Sequence, residues 1–418
     1  MVKKQKMTIE ALHIKNVRHF PEVNVSFNSG FNFITGPNGC GKTSLLASIA
    51  HCLTWNPVYS RFKEGSEYWL DIKQSGEQFR FGMGPGWFLS GAYRNNEVKN
   101  WNAPTSEIGR QSHVPSSVDK ILTLPPLFIG AQRKINYKQI TGLSREQGAT
   151  HSKQSYILNS LSQIYNESER EVKQWLINRY FIIEKEWAWE EKKNWEHLEQ
   201  SLPEIGPFNS DFNYVRIGRD LEPVFSLYGK ECYLEELSSG FQAILFIIIA
   251  VFEWVESCLP EGERNVQMAS GTVLIDELDN HLHPEWQFTV RDGIEKLFPN
   301  IQFIITTHSP HLLSSAKENE IIMLPGSYPE ERYDFSPSRD AYSGWSTDMI
   351  LKELMGVRSL DNKRYEKLVH TCFDNIENNE LDALKDSFAQ LEAICHPGDS
   401  ILVVLKARIA GMEAKKDD

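Results

Sequence analysis

The sequence predicts an α/β fold. A mostly parallel sheet forms its core, with an antiparallel β subdomain, a helical insertion and a C-terminal helical appendix added to it. Three observations carry this. Short apolar strands alternate with helix-patterned segments, the order that yields parallel strands with crossover helices. A glycine-rich loop stands between a strand and a helix. The last 75 residues or so show amphipathic helical faces and no strand pattern.

The bounds are ordinary. The chain has 418 residues, 41% hydrophobic and 24% charged, values of a globular protein with a real core. Lys plus Arg number 44 and Asp plus Glu 56, giving a formal charge of −12. That balance disfavours general polyanion binding while leaving room for a local basic patch. The longest apolar run, Ala243 to Phe252, is ten residues. A membrane span needs about 20, so no span is expected. The start is basic without an apolar h-region, so no secretory signal is expected. Six scattered cysteines without a CxxC read as reduced thiols of a cytoplasmic protein.

The elements follow in order. Ile9–Ile14, Val23–Phe27 and Phe31–Ile34 read as strands, the last running into glycines. Leu45, Leu46, Ile49 and Leu53 recur at helical spacing. Tyr68–Ile72 and Phe79–Phe81 read as short strands within a Gly- and Asn-rich stretch, and Leu127–Ile129 as a buried one. Residues 152–200 are helical in pattern, with Trp175, Trp187, Trp189 and Trp195 expected to pack on the sheet as a lid, a partner interface being the alternative. A strong helix runs from Leu237 to about Cys258, a strand covers Thr272–Ile275, a helix starts at Pro284, and Ile301–Ile305 closes the series. The expected divisions are residues 1–140, an N-terminal lobe; 141–229, the helical insertion; 230–343, a C-terminal lobe; and 344–418, the helical region. In the tail, one face holds Tyr365, Leu368, Val369, Cys372, Phe373 and Ile376, and a second holds Leu381, Leu384, Phe388 and Leu391. These faces either dock an effector or cap the core.

The chemistry begins at Gly36-Pro37-Asn38-Gly39-Cys40-Gly41-Lys42-Thr43, a GxxxxGK[ST] loop in its required strand-to-helix context. Glycines let backbone amides curl around phosphate oxygens, and the helix N-terminus adds partial positive charge. Lys42 supplies a full charge to the terminal phosphates, Thr43 can ligate Mg²⁺, and Ser44 completes the loop's polar face. Cys40 reads as a small residue at a tight turn more than as a redox switch. Asp276 and Glu277 end an apolar strand. The first suits a metal contact and the second a general base acting on water. Leu237-Ser238-Ser239-Gly240-Phe241-Gln242 opens the apolar helix and makes a second anion cradle. One γ-phosphate needs one cradle, so two in a chain suggest head-to-tail pairing of two copies, each lending half of a site. Arg133, Lys134 and Lys138 form a small basic cluster that either touches nucleic acid or is a solvated loop.

These elements resemble the ABC-type ATPases. LSSGFQ is similar to their signature motif, Val273–Glu277 to their Walker B, Thr306-Thr307-His308-Ser309 to their switch-histidine segment, and Gln132 to their Q-loop glutamine. The order is the family's, over roughly residues 8–135 and 230–325. The resemblance implies ATP and Mg²⁺, a homodimer or larger homo-oligomer, Ser238, Ser239 and Gly240 facing the partner's nucleotide, His308 sensing phosphate, and Gln132 beside the metal. Ile14 to Phe20 resembles the opening of SMC-like and RecF-like ATPases, which implies Arg18 near the phosphates. Asp279 to Pro284 and Gly344 to Val357 resemble the OLD-like branch, which includes the PtuA ATPases of Septu and retron antiphage systems. His281 and His283 there read as loop residues more than as a metal pair. The residues after Gly344 carry no DxD pair and no Cys/His cluster, so nuclease activity is not expected in this chain. The resemblance therefore implies an ATP-regulated sensor or scaffold acting on a separate HNH-type nuclease, with nucleic acid reached through the complex and no membrane. The alternative is a RecF- or SMC-like DNA-maintenance ATPase that binds DNA directly.

Overall fold

A computed structural model describes residues 7–54, 62–85, 88–90, 96–98, 102–167, 170–207, 209–357 and 362–416. The core is a five-stranded sheet in the order Ile321–Met323, Phe31–Thr35, Gln302–Thr306, Thr272–Ile275, Leu127–Ile129. All four pairings are parallel. Apart from the exposed Met323 on the edge strand, these short, largely apolar runs are buried on both faces, as parallel strands covered by other layers must be.

Alternation along these strands makes two cores. Phe33, Ile129, Val273, Ile275, Phe303 and Ile305 face the helix Ser239–Cys258. Ile34, Phe128, Leu274, Ile304 and Ile322 face the helix Lys42–His51 and a second sheet. That second sheet is six-stranded and mainly antiparallel, in the order Arg332–Phe335, Phe20–Ser26, Met7–Val17, Phe62–Gln74, Glu77–Met83, Arg110–His113. Gln302 joins the two sheets. Its side chain is fully buried and accepts from Ile9 N at 2.8 Å and from the Thr272 hydroxyl at 2.7 Å, and donates to Ile9 O at 2.8 Å. A buried amide so fully paired fixes how the layers meet.

The helix Ser239–Cys258 is 20 residues long and apolar enough to cross a membrane by length and composition, but 83% of its apolar window is buried inside the protein. It is a core helix. Trp254 in it is fully buried and donates to Pro125 O at 2.8 Å. The segment from Pro284 is two short helices, Pro284–Gln287 and Val290–Leu297, rather than one. His283 caps the first, its Nδ1 accepting from Glu285 N.

The stretch 141–229 is helical from Ala149 to Ile205, then enters a three-stranded sheet, Asn213–Ile217, Pro223–Leu227, Lys230–Tyr233, whose last strand lies past the expected boundary at residue 229. Of its tryptophans, Trp175 and Trp195 stack in the core while Trp187 and Trp189 stay exposed. Packing explains the first two and leaves the others at the surface. Arg179 and Glu256 form a buried ion pair at 2.6 Å, and Asn194 donates a second bond to the carboxylate.

The chain divides into two compact units, Met1–Gly356 and Val357–Asp418. The division falls later than the expected residue 344 because Tyr342, Ile350 and Leu354 are buried in the first unit's core. The second unit holds the helices Lys363–Glu377, Leu381–Glu392 and Ser400–Lys416 around Cys372, Leu384, Phe388, Leu391, Leu402 and Leu405. Both amphipathic faces read from the tail contribute to this core, with Phe373 left half-exposed.

Candidate functional site

The phosphate loop follows the strand Phe31–Thr35 and caps the helix Lys42–His51. Gly41 is the N-cap with φ of 104°, and a Cβ there would lie 2.4 Å from His19 Nε2 and 2.7 Å from Phe20. Only glycine satisfies both conditions. Asn38 and Gly39 form the exposed tip, whereas Gly36 and Cys40 are buried beneath it. Lys42 is 6% exposed, and its ammonium donates to Gly36 O at 2.9 Å and Pro37 O at 3.2 Å. The cation is thus held against the loop backbone.

Three strand ends converge on the next residue. Thr43 Oγ1 donates to both Asp276 oxygens, at 3.1 and 3.0 Å. Thr306 Oγ1 donates to Asp276 Oδ1 at 2.6 Å and accepts from Glu277 N at 2.8 Å. Asp276 is 4% exposed, and Glu277 is partly exposed with φ of 51°. A non-glycine residue in that region is held by its surroundings, a common feature of functional turns.

Arg133 does much of the holding. It is 1% exposed and donates to Gly130 O at 2.9 Å, Asp276 O at 2.8 Å and Glu277 O at 2.6 Å. Burial lowers its pKa to about 10 against the opposing pull of Asp279, Asp276 and Glu277, so it remains charged at neutral pH. Arg133 is therefore neither a solvated loop residue nor a nucleic-acid contact. Its place in a Lys/Arg cluster gave no sign of this, because burial depends on the strands it bridges. Lys134 and Lys138, by contrast, are exposed.

Asp279 braces the switch segment, accepting from Thr307 Oγ1 at 2.6 Å and His308 N at 3.2 Å. Burial first, then the Lys42 charge, lowers the His308 pKa, with Asp279, Glu277 and Asp276 opposing. Its imidazole is neutral at physiological pH. Arg18 has φ of 57° and donates to Ser44 Oγ at 3.0 Å and to the Tyr165 hydroxyl, so it reaches the start of the loop's helix. Lys42, Thr43, Asp276, Glu277 and His308 thus stand in one place, with Arg18 and Ser44 at its edge.

Other predicted residues lie apart or turn elsewhere. Gln132 is exposed, and its backbone N–H donates to Asn166 Oδ1 at 2.9 Å. Ser238 is the exposed N-cap of the core helix, its side chain making no cap bond, and Ser239 is exposed beside it. Gly240 is buried, its missing Cβ 2.9 Å from His281 O. Among the described residues, no hydrogen bond or ion pair ties Ser238, Ser239 or Gly240 to the phosphate loop of the same chain. Sequence reasoning missed Thr306 as the brace of Asp276 and Glu277. The TTHS run held the signal, but not the pairing.

The loop's helix also carries a pH-dependent term. His51 is 1% exposed, and burial together with the nearby Arg18 charge pulls its pKa to about 3. The unfolded imidazole protonates near 6.5 while the folded one stays neutral. Stability is therefore full above about pH 6.5 and falls as pH drops toward 3, by about 2 kcal/mol at pH 5. Denaturant unfolding at pH 7.5 and pH 5 should show a larger loss for the wild type than for His51→Gln. Equal losses in the two proteins would remove this assignment.

Comparison with known proteins agrees with the geometry. Residues 11–206 match the family model described as "AAA domain", and residues 149–314 match "AAA domain, putative AbiEii toxin, Type IV TA system". The Septu protein PtuA of Bacillus thuringiensis is 25% identical over 411 residues, 97% of this chain and 98% of that protein. The Retron Ec83 probable ATPase of Escherichia coli is 32% identical over 179 residues, 42% of this chain and 31% of that protein. The Retron Vc95 probable ATPase of Vibrio cholerae is 36% identical over 119 residues, 28% of this chain and 23% of that protein. With the phosphate loop, the acid-ended strand and the switch segment assembled on one parallel sheet, the chain carries the elements of an ABC-type ATPase and is similar over nearly its whole length to PtuA.

Proposed function

We propose that the chain is an Mg²⁺-dependent ATPase that closes as a homodimer around ATP and so regulates a separate effector nuclease in antiphage defence. The single observation that carries the chemistry is the bonding of Thr43 to both oxygens of Asp276, beside a Glu277 whose backbone is pinned on both sides. A hydroxyl and a buried carboxylate are hard oxygen donors, the set that Mg²⁺ takes with nucleotide phosphates. Thr43 and Asp276 would hold Mg²⁺ there, and the ion would supply positive charge against the nucleotide phosphates. Gln132, exposed in this structure, would have to turn toward that side to join the metal site.

The residues divide the work. Gly36, Asn38, Gly39, Cys40, Gly41 and Thr43 supply the loop backbone and hydroxyl that receive the phosphates, and Lys42 supplies the full charge. Glu277 takes the proton from a water whose oxygen attacks the γ-phosphorus, while the bridging β–γ oxygen leaves with ADP. His308, neutral, accepts a hydrogen bond from that water or donates one to the γ-phosphate. Ser238, Ser239 and Gly240 of a second copy close the pocket. The exposed Ser238 and Ser239 support this reading, as does the absence of a bond from these residues to their own loop among the described residues. The Septu relative spanning 97% of the chain supports the defence role, and the HNH-type effector rests on the resemblance read from the sequence.

The test is direct. ATP with Mg²⁺ raises the melting temperature of the wild type, and Lys42→Ala loses that protection; at about 100-fold excess over Kd the protection equals roughly 2.7 kcal/mol. Full protection of Lys42→Ala would move the nucleotide away from this loop. Expression with neighbouring genes should bring down a small nuclease whose activity changes with ATP. Hydrolysis stimulated by duplex DNA with a steep salt dependence would instead favour a DNA-maintenance ATPase.

A further inference from the structure

A cavity of about 790 Å³ lies away from the phosphate loop, between residues 128–138, the insertion helices and the core helix. None of residues 36–44 lines it. Its size is that of a small-molecule site. Its lining carries six Lys and Arg side chains against three Glu, in a chain of net charge −12. The three acids are already engaged: Glu171 by Lys138, Glu253 by Arg170 and Glu146 by Arg179. Lys173 is held by Glu222 and Glu235 from outside the lining. That leaves Lys134 and Arg145, both exposed and without an ion pair among the described residues.

Two residues of the lining each carry a buried polar atom without a hydrogen-bond partner among the described residues. Trp175 is 5% exposed and its indole Nε1 is an unused donor. Gln163 Oε1 is an unused acceptor. Such groups are costly to bury unless something pairs with them. Two unpaired cations, one free donor and one free acceptor together suit a ligand with an anionic end and a hydrogen-bonding end.

One wall of this cavity is the segment that clamps the catalytic acids. Gly130 and Gln132 line it. Gln132 N is bonded to Asn166 Oδ1, Asn280 Nδ2 donates to Ala131 O at 3.3 Å, and Arg133 joins Gly130 to Asp276 and Glu277. A Cβ on Gly130 would stand 2.3 Å from Asn166 Oδ1 and 2.4 Å from Gln163 O. The insertion helix therefore meets the Gly130 segment with no slack, and Arg133 ties that segment to Asp276 and Glu277, so a displacement of the helix is passed to the acids.

We propose that this cavity binds a nucleoside phosphate as an effector, with its phosphate at Lys134 and Arg145 and its nucleoside at Gln163 and Trp175. Occupancy shifts the Gly130–Arg133 segment and so changes turnover at Glu277; this second step rests on the ATPase reading, whereas the binding step does not. Nucleoside monophosphates lack the β- and γ-phosphates that the loop cradles, so AMP and GMP are the probes. Calorimetric titration uses the full chain carrying Lys42→Ala, in which the loop is silenced. We expect binding equal to that of the wild type, weakened at least about tenfold when Lys134→Gln and Arg145→Gln are added. Both are surface positions, and circular dichroism checks that the fold is retained.

Absence of binding by both probes at about 1 mM would overturn the proposal. So would equal affinity in the triple variant, or inorganic phosphate binding as tightly as AMP. With the wild type, saturating monophosphate should change ATP turnover at least about threefold, an effect lost with the two surface substitutions. Binding without any change in a measurable turnover overturns the effector role. A wild type without turnover would count against the ATPase reading instead.

Discussion

Glu277→Gln is expected to lower ATP turnover by about two to four orders of magnitude, the range set by loss of a general base. The amide keeps the shape and removes the proton acceptor. The fold should survive, because the backbone of residue 277 is held from both sides, by Thr306 Oγ1 on its N–H and by Arg133 on its carbonyl. Substrate binding should survive as well, since Lys42, Thr43 and Asp276 are untouched. ATP then stays uncleaved, and the closed dimer accumulates. Single-turnover hydrolysis measures the first effect. Light scattering with ATP and Mg²⁺ measures the second, as a mass that doubles with nucleotide and falls on its removal. Turnover within about twofold of the wild type would assign the base elsewhere.

Arg133→Met carries the largest expected effect on stability. Methionine fills most of the volume but donates nothing, so the carbonyls of Gly130, Asp276 and Glu277 lose their buried donor. The nearby charges of Asp276, Glu277 and Asp279 also lose their compensating cation. Removing one side of such an arrangement costs about 3–5 kcal/mol. Denaturant unfolding at neutral pH reads this loss directly. Arg133→Lys should recover little of it, because one ammonium cannot span three carbonyls held in a fork. Turnover should fall with stability in both variants, since Glu277 is aimed through its backbone. A loss under about 1 kcal/mol would show that the strand ends are held by the sheet alone.

Much of the site was legible in the sequence because its parts are local. The phosphate loop is one unbroken run, and its shape depends on glycines a few residues apart. Asp276 and Glu277 follow a four-residue apolar strand, so their place at a strand end could be read directly. The three-stranded sheet after Ile205 was not legible, because its edge strands Asn213–Ile217 and Lys230–Tyr233 are largely polar or exposed. The split after Gln287 was hidden too, since Trp286, Val290, Ile294 and Leu297 keep helical spacing across the break.

Arg133 marks the limit most clearly. In the chain it is one of several basic residues after Gln132, and charge patterning places such residues in solvent. In the fold it is almost wholly enclosed. Its neighbours in space come from residues 130, 276 and 277. The sequence by itself determined the α/β class, the loop, the acid-ended strand and the helices that bury apolar faces, because periodicity and glycine placement act over a few residues. Only the tertiary structure decided that Thr306 braces Asp276, that Arg133 clamps both acids, and that a cationic cavity shares its wall with them. Those pairings join residues separated by up to 144 positions, and they exist only once the parallel strands are in register.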